Sequence, residues 1–319
     1  MLPTLSEIQD ASQIVYAVLP PTPQYRWPLL RDRLGIDVWV KHENHTPVGA
    51  FKIRGGLVYF SDLAKDRTVR TVVAATRGNH GQSVALSAAS YGIEARIVVP
   101  HGNSLEKNAA MRSLGAELIE HGRDFQEALE QAARIADETS AHLVPSFHPL
   151  LVRGVATYAV ELFRSVSNLD SAYVPIGLGS GICGVIAARN ALSPQTKVVG
   201  VVSSLAPAYS LSFASRRPVE AEARTEIADG MACRTPRPEA LDIILRYAEK
   251  IVEVSDVEVG AAMRLLYECT HNCAEGAGAA SLAAVMKDRQ ELDGKSVAVI
   301  LSGGNVDRTI YASILAEPS

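Results

Sequence analysis

Thr71-Val72-Val73-Ala74-Ala75-Thr76-Arg77-Gly78-Asn79-His80-Gly81-Gln82-Ser83 decides how the chain is read. Five strand-forming residues run into a polar turn, and Ser83, Ala85, Ser87, Ala88 and Ala89 then read as a tightly packed helix. Such a strand, turn and helix place backbone N–H groups at a helix N-terminus, where the dipole favours an anion such as a carboxylate. The pattern recurs at Pro175-Ile176-Gly177-Leu178-Gly179-Ser180-Gly181-Ile182-Cys183-Gly184, after an apolar strand and before helix-like Val185-Ile186-Ala187-Ala188. Glycines there let the backbone approach a phosphate closely and point its amides inward.

Gly179, Gly181 and Gly184 fall in GxGxxG register, but a dinucleotide fingerprint also wants an acid about 20 positions on, at the end of the next strand. That strand ends in Val201-Val202-Ser203-Ser204, with no carboxylate, and no Gly-Lys-Ser/Thr follows the loop to make a P-loop. The loop therefore says phosphate without saying which. A third run, Gly49-Ala50-Phe51-Lys52-Ile53-Arg54-Gly55-Gly56, sets a lysine between apolar neighbours and a glycine pair. Burial disfavours the ammonium and lowers a lysine's pKa, which is how a lysine becomes able to condense with a carbonyl. Alone, this run reads first as that of a solvated surface lysine, since most lysines are solvated.

Short apolar strands alternate with longer helical segments along the whole chain, which predicts an α/β fold with mainly parallel sheets flanked by helices. Strands are expected at 38–40, 72–74, 95–99, 117–119, 171–174, 197–201 and 297–301, and helices at Phe125–Thr139, Gly154–Ser165 and Val257–Cys269. Ser255 and Glu258 stand at capping-box spacing before the last of these. Residues 206–238, rich in Ser, Arg, Glu and Pro, read as irregular.

In order and spacing the three motifs resemble the fold-type II pyridoxal-phosphate enzymes, in the serine/threonine dehydratase and serine racemase branch. The resemblance runs from Lys41-His42-Glu43-Asn44 to Leu301-Ser302-Gly303-Gly304-Asn305-Val306-Asp307, essentially the whole chain. It implies a two-lobed, tryptophan synthase β-like fold, with a small domain at residues 45–147. A large domain then joins 1–44 to 148–319, and the pyridoxal 5'-phosphate cofactor lies in the cleft between them. The chain ends soon after Asn305, so a C-terminal regulatory domain and feedback through it are not expected.

Composition bounds the rest. At 319 residues and 47% hydrophobic content the chain can bury a large core. A net charge of −4 without a basic cluster gives no reason to expect nucleic acid or an anionic membrane as partner. No apolar run approaches the roughly 20 residues of a membrane span, and the first residues carry no signal core. Cys183, Cys233, Cys269 and Cys273 form no zinc or CxxC pattern and suit a reducing compartment, with Cys269 and Cys273 read as packing residues. A cytoplasmic protein is expected, and the family's habit suggests a homodimer.

Residue by residue, the resemblance implies that Lys52 carries the cofactor covalently and later acts as base at the substrate Cα, with Phe51 beside it. Asn79 would hydrogen-bond the ring hydroxyl, although an Asx turn or helix cap is the plainer role for an asparagine here. Gly177, Leu178, Gly179, Ser180 and Gly181 would cradle the phosphate. Leu178 and Ser180 replace glycines of the family loop, which a nest of main-chain amides tolerates. Ser302 would face the pyridine nitrogen, where a neutral hydroxyl weakens the electron sink and favours β-elimination. Glu275 matches the family's glutamate near the ring edge, or is a helix cap.

Two departures bear on function. Thr76-Arg77-Gly78-Asn79-His80 stands where the family has Ser-Ser-Gly-Asn-His, and this segment would hold the amino-acid substrate. In the racemase branch the second serine is the acid/base opposite the lysine, a role a permanently protonated guanidinium cannot readily take. Arg77 can instead clamp the α-carboxylate, a second carboxylate or an aromatic face, or simply point outward to a surface acid. Secondly, 201–208 holds no carboxylate of the kind that binds the branch's divalent cation, so no metal is expected. The leading expectation is an ammonia-lyase that dehydrates L-threonine or L-serine to a 2-oxo acid and ammonia. Dehydratases of phenylserine, 3-hydroxyaspartate or a hydroxyectoine-derived substrate are the alternatives. A racemase and a non-catalytic cofactor-binding protein rank below them.

Overall fold

A computed structural model describes residues 2–317. Met1, Pro318 and Ser319, which the expected large domain includes, lie outside the described residues. Two sheets organise the chain. The larger has the order β1-β2-β10-β7-β8-β9, formed by Gln24–Arg26, Asp37–His42, Ser296–Leu301, Ser171–Pro175, Lys197–Ser203 and Lys250–Val254 respectively. Only β1 pairs antiparallel, with β2; the other pairings are parallel. The smaller sheet is all parallel in the order β5-β4-β3-β6, from Glu117–Glu120, Glu94–Val99, Thr71–Ala75 and His142–Leu143. Val72, Val73, Ala74, Val297, Ala298 and Val299 are all buried, as expected of parallel strands covered by helices on both faces.

All seven expected strands are present. Three more are not legible in the sequence: β1 is a three-residue, mostly exposed edge strand, β6 has two residues, and β9 alternates Lys-Ile-Val-Glu-Val on the far edge. Such short or polar edges carry little of the strand signal. The expected helices appear as Phe125–Thr139, Pro149–Ser165 and Asp256–Thr270, the last with its Ser255/Glu258 capping box. Pro149–Ser165 begins five residues early because Pro149 occupies the first turn, where its missing N–H costs nothing, and His148 caps it. The stretch read as irregular contains the helix Ala208–Ser215 and a 3-10 turn at Asp229–Met231. Its serines hide that helix, which Tyr209 and Ser212 anchor by burial.

The Lys52–Leu63 helix packs between the Asn79–Ala89 and Pro149–Ser165 helices. The approach to the latter is close enough that a Cβ on Gly154 would lie 2.2 Å from the Arg54 carbonyl oxygen. Two residues beyond Lys52, Arg54 is fully buried, and its guanidinium donates to Glu43, Glu161, Thr157 and Thr22 at 2.6–3.2 Å. Lys41 adds a 2.5 Å ion pair to Glu161. A buried arginine stripped of these acceptors would cost several kcal/mol, on the order of 3–5. The network thus fixes the lysine's helix to β2 and to the Pro149–Ser165 helix.

Candidate active site

The carboxyl ends of β3, β7 and β10 point into one cavity, the place where open parallel sheets bind ligands. Every site residue expected from the sequence lines it: Phe51, Lys52, Thr76, Arg77, Gly78, Asn79, His80, Gly177, Leu178, Gly179, Ser180, Gly181, Glu275 and Ser302. Lys52 is the first residue of its helix and partly buried, with Nζ 5.0 Å from the Phe51 ring centroid. Nζ donates to Ser180 Oγ at 3.2 Å. Desolvation lowers the amine to about 8, against a smaller opposing pull from the Glu275 carboxylate. The backbone around Lys52 is tied down on two sides. Phe51 N–H donates to the Ser302 carbonyl at 3.0 Å, and Ser83 Oγ to the Lys52 carbonyl at 2.8 Å.

Gly177 to Ser180 turn from β7 into the helix Ser180–Leu192. The turn hinges on Gly179, whose φ of +102° an L side chain rarely adopts, and whose added Cβ would meet the Ala240 Cβ at 2.5 Å. Among the described residues no acceptor takes the N–H groups of Gly177, Leu178, Gly179, Ser180 or Gly181. Tyr209 Oη steadies the loop by donating to the Leu178 carbonyl at 3.1 Å and accepting from Arg237 N–H at 3.1 Å.

On the opposite wall, Thr76 Oγ1 accepts from Gly78 N–H at 3.0 Å and Gly81 N–H at 3.2 Å, closing the turn before the Asn79–Ala89 helix. Asn79 neither caps nor makes an Asx turn: its Nδ2 donates to Glu275 Oε1 at 2.6 Å and its Oδ1 accepts from Asn305 Nδ2 at 2.8 Å. Glu275 occupies an N-cap position, yet its side chain reaches Asn79 instead of capping. Burial pushes Glu275 up to about 7; the Lys107 ammonium pulls it down and the Asp229 carboxylate pushes it up. Burial, and then the Lys52 charge, lowers His80 to about 3, so its imidazole is neutral. Arg77 is exposed at the rim and pairs with no acid or other acceptor among the described residues.

Sequence reasoning missed Lys107, Asp229, Asn305 as the partner of Asn79, and Tyr209. None lies in a phosphate-loop or lysine motif, and only the spacing of Lys107 after the Ser104 cap hints at an inward face. Cys273, read as a packing residue, is exposed. No group of three or more His, Cys, Asp or Glu among the described residues comes together to hold a metal, and no helix there is long and apolar enough to cross a membrane.

The donor set fits a phosphorylated pyridine aldehyde. Five unpaired amides at a helix N-terminus suit a phosphate. Beside them stand an amine of lowered basicity and two buried polar atoms without hydrogen-bond partners, His80 Nε2 and Glu275 Oε2.

Comparison with known proteins agrees with this chemistry. The family model described as "Pyridoxal-phosphate dependent enzyme" matches residues 16–303. An L-threonine ammonia-lyase of Thermotoga maritima is 35% identical over 98% of this chain and 78% of its own. An L-threo-3-hydroxyaspartate ammonia-lyase of Saccharomyces cerevisiae is 33% identical over 99% of this chain and 97% of its own. The solved structure of the processed form of threonine deaminase isoform 2 from Solanum lycopersicum has a TM-score of 0.90. It is 26% identical and covers 99% of this chain and 95% of that one. Of two longer relatives, both biosynthetic L-threonine dehydratases, the chain spans 58% and 60%.

Proposed function

The chain belongs to the pyridoxal-phosphate dependent enzyme family, and from that premise we propose that it is an ammonia-lyase for β-hydroxy-α-amino acids. L-Threonine and L-serine are its substrates in this reading, and a 2-oxo acid and ammonia its products. The observation that carries it is the juxtaposition of the Lys52 amine with a nest of unpaired amides, joined through Ser180 at 3.2 Å.

Pyridoxal phosphate, when bound, supplies the electron sink that makes the substrate Cα–H acidic. Lys52 Nζ would hold it and, as the free amine, would serve as base for the Cα proton; an amine lowered to about 8 is partly neutral near physiological pH. The amides of Gly177 to Gly181 would hold the phosphate, Asn79 the ring hydroxyl and Ser302 the ring nitrogen, with Phe51 and Glu275 as further residues of the cofactor site. The Thr76–His80 turn, at a helix N-terminus, orients the substrate carboxylate. Arg77 offers no neutral base on the face opposite Lys52, which favours elimination over racemisation.

A second reading, 3-hydroxyaspartate as substrate, draws on the unpaired Arg77 at the rim, a ready partner for a second carboxylate, and on the likeness to the yeast enzyme. The small domain is taken as residues 45–147, with 1–44 and 148–319 forming the large one. The protein is taken to be a cytoplasmic homodimer, to be checked by sedimentation and by fractionation. Lys52→Ala tests the reading as a whole: cofactor colour and turnover of L-threonine should vanish together. Turnover that survives in the folded variant would refute it.

A further inference from the structure

Lys107 belongs to no motif, yet it occupies the joint between the two walls of the cavity. It is buried on the Leu105–Ser113 helix, and its Nζ lies 2.7 Å from Asp229 Oδ2 and 3.8 Å from Glu275 Oε2. The other Glu275 oxygen accepts from Asn79, and Asn79 accepts in turn from Asn305. A polar chain therefore runs Asp229, Lys107, Glu275, Asn79, Asn305. Each of its four links crosses between segments around the smaller sheet, which carry Lys107 and Asn79, and those around the larger, which carry the other three.

The direction of the Asn79 amide depends on this chain. A carboxylate only accepts, so a charged Glu275 demands the Nδ2 side of Asn79, while Asn305 Nδ2 demands its Oδ1 side. That leaves one Nδ2 hydrogen as the amide's remaining offer. A protonated Glu275 can donate instead, and half of the orienting demand is lost. Four polar or charged groups face Glu275 from separate elements: Lys107, Asp229, Asn79 and Lys52. Of the two ammonium groups, Lys107 is the stronger influence on the glutamate.

Resting on the reading of this cleft as a pyridoxal-phosphate site, we propose that Lys107 is a positioning residue that keeps Glu275 charged and aimed at Asn79. It thereby sets the hydrogen bonding that Asn79 offers to the cofactor. The Glu275 carboxyl, raised to about 7 by burial, stands where loss of one neighbouring cation changes its state.

The test is a pH titration of the visible absorption of cofactor-loaded wild type, K107M, K107R, E275Q and the K107M/E275Q double variant, with cofactor affinity read by fluorescence. In wild type an inflection is expected near 7. In K107M it moves up by about one pH unit or more, as loss of an adjacent opposite charge requires. Cofactor binding weakens about tenfold, the worth of one hydrogen bond to a charged group. K107R restores both, E275Q has no inflection, and K107M adds nothing to E275Q. A K107M curve superimposed on wild type, or an E275Q protein that keeps the wild-type inflection, overturns the proposal. The E275Q arm holds even if K107M does not fold. Wild-type protein that takes up no pyridoxal phosphate would overturn the reading of the cleft and this proposal with it, whereas normal uptake with an unmoved K107M curve overturns this proposal alone.

Discussion

Replacing Lys52 with methionine should inactivate the protein and, in a defined pH window, make its cofactor-free form relatively more stable. Burial depresses the lysine in the folded state from 10.5 to about 8. Between those values the unfolded chain binds more protons than the folded one, so wild-type stability rises with pH there. The penalty of holding the amine in the cleft is fully present below about 8 and is lost above 10.5. At 1.36 kcal/mol per pKa unit it amounts to about 3 kcal/mol at pH 8 and about 1 kcal/mol at pH 10. Methionine also removes the hydrogen bond to Ser180 and alters packing, but neither effect depends on pH. Glu275, near 7, titrates below the window. Urea unfolding of both apoproteins from pH 8 to pH 10 measures the effect. The stability of K52M minus that of wild type should fall by about 2 kcal/mol across that range. A difference that stays flat would mean that Lys52 is not desolvated, and the account of a primed amine would fail.

Three further substitutions probe separate walls of the cleft. Gly179→Ala forces a side chain into a positive φ and against Ala240; cofactor affinity, followed by fluorescence quenching, should drop at least about tenfold, the consequence of roughly 1–3 kcal/mol of backbone strain. Thr76→Val strips two amides of their acceptor and should raise KM more than it lowers kcat, with Thr76→Ser near wild type in steady-state assays. Arg77→Ala should lower kcat/KM for 3-hydroxyaspartate about tenfold more than for threonine if the rim guanidinium meets a second carboxylate; equal losses on both substrates would remove Arg77 from specificity.

Much of this was legible in the sequence, for identifiable reasons. Parallel strands buried on both faces appear as unbroken runs such as Thr71–Ala75 and Ser296–Leu301, and a phosphate nest must be written in small residues such as Gly177, Gly179 and Gly181. Edge strands β1, β6 and β9 escaped because they are short or half exposed, which weakens their apolar pattern. Side-chain partnerships across the fold escaped more completely. Asn79 and Glu275 are 196 residues apart, and Lys107 and Asp229 are 122 apart. No local pattern announces which buried cation will meet which distant carboxylate. Arg54 is the sharpest case, since it lies inside the lysine motif while its partners Glu43 and Glu161 come from two other elements.

The central claim is that Lys52, primed by burial beside the phosphate nest, drives elimination from a β-hydroxy amino acid. Ammonia and 2-oxo acid release by the cofactor-loaded protein, measured across L-threonine, L-serine, L-threo-3-hydroxyaspartate and threo-phenylserine, tests it most directly. The account predicts equal amounts of both products from at least one of these substrates, and none from any of them with Lys52→Ala. Silence of the loaded wild-type protein on all four, or turnover that persists without Lys52, would contradict it.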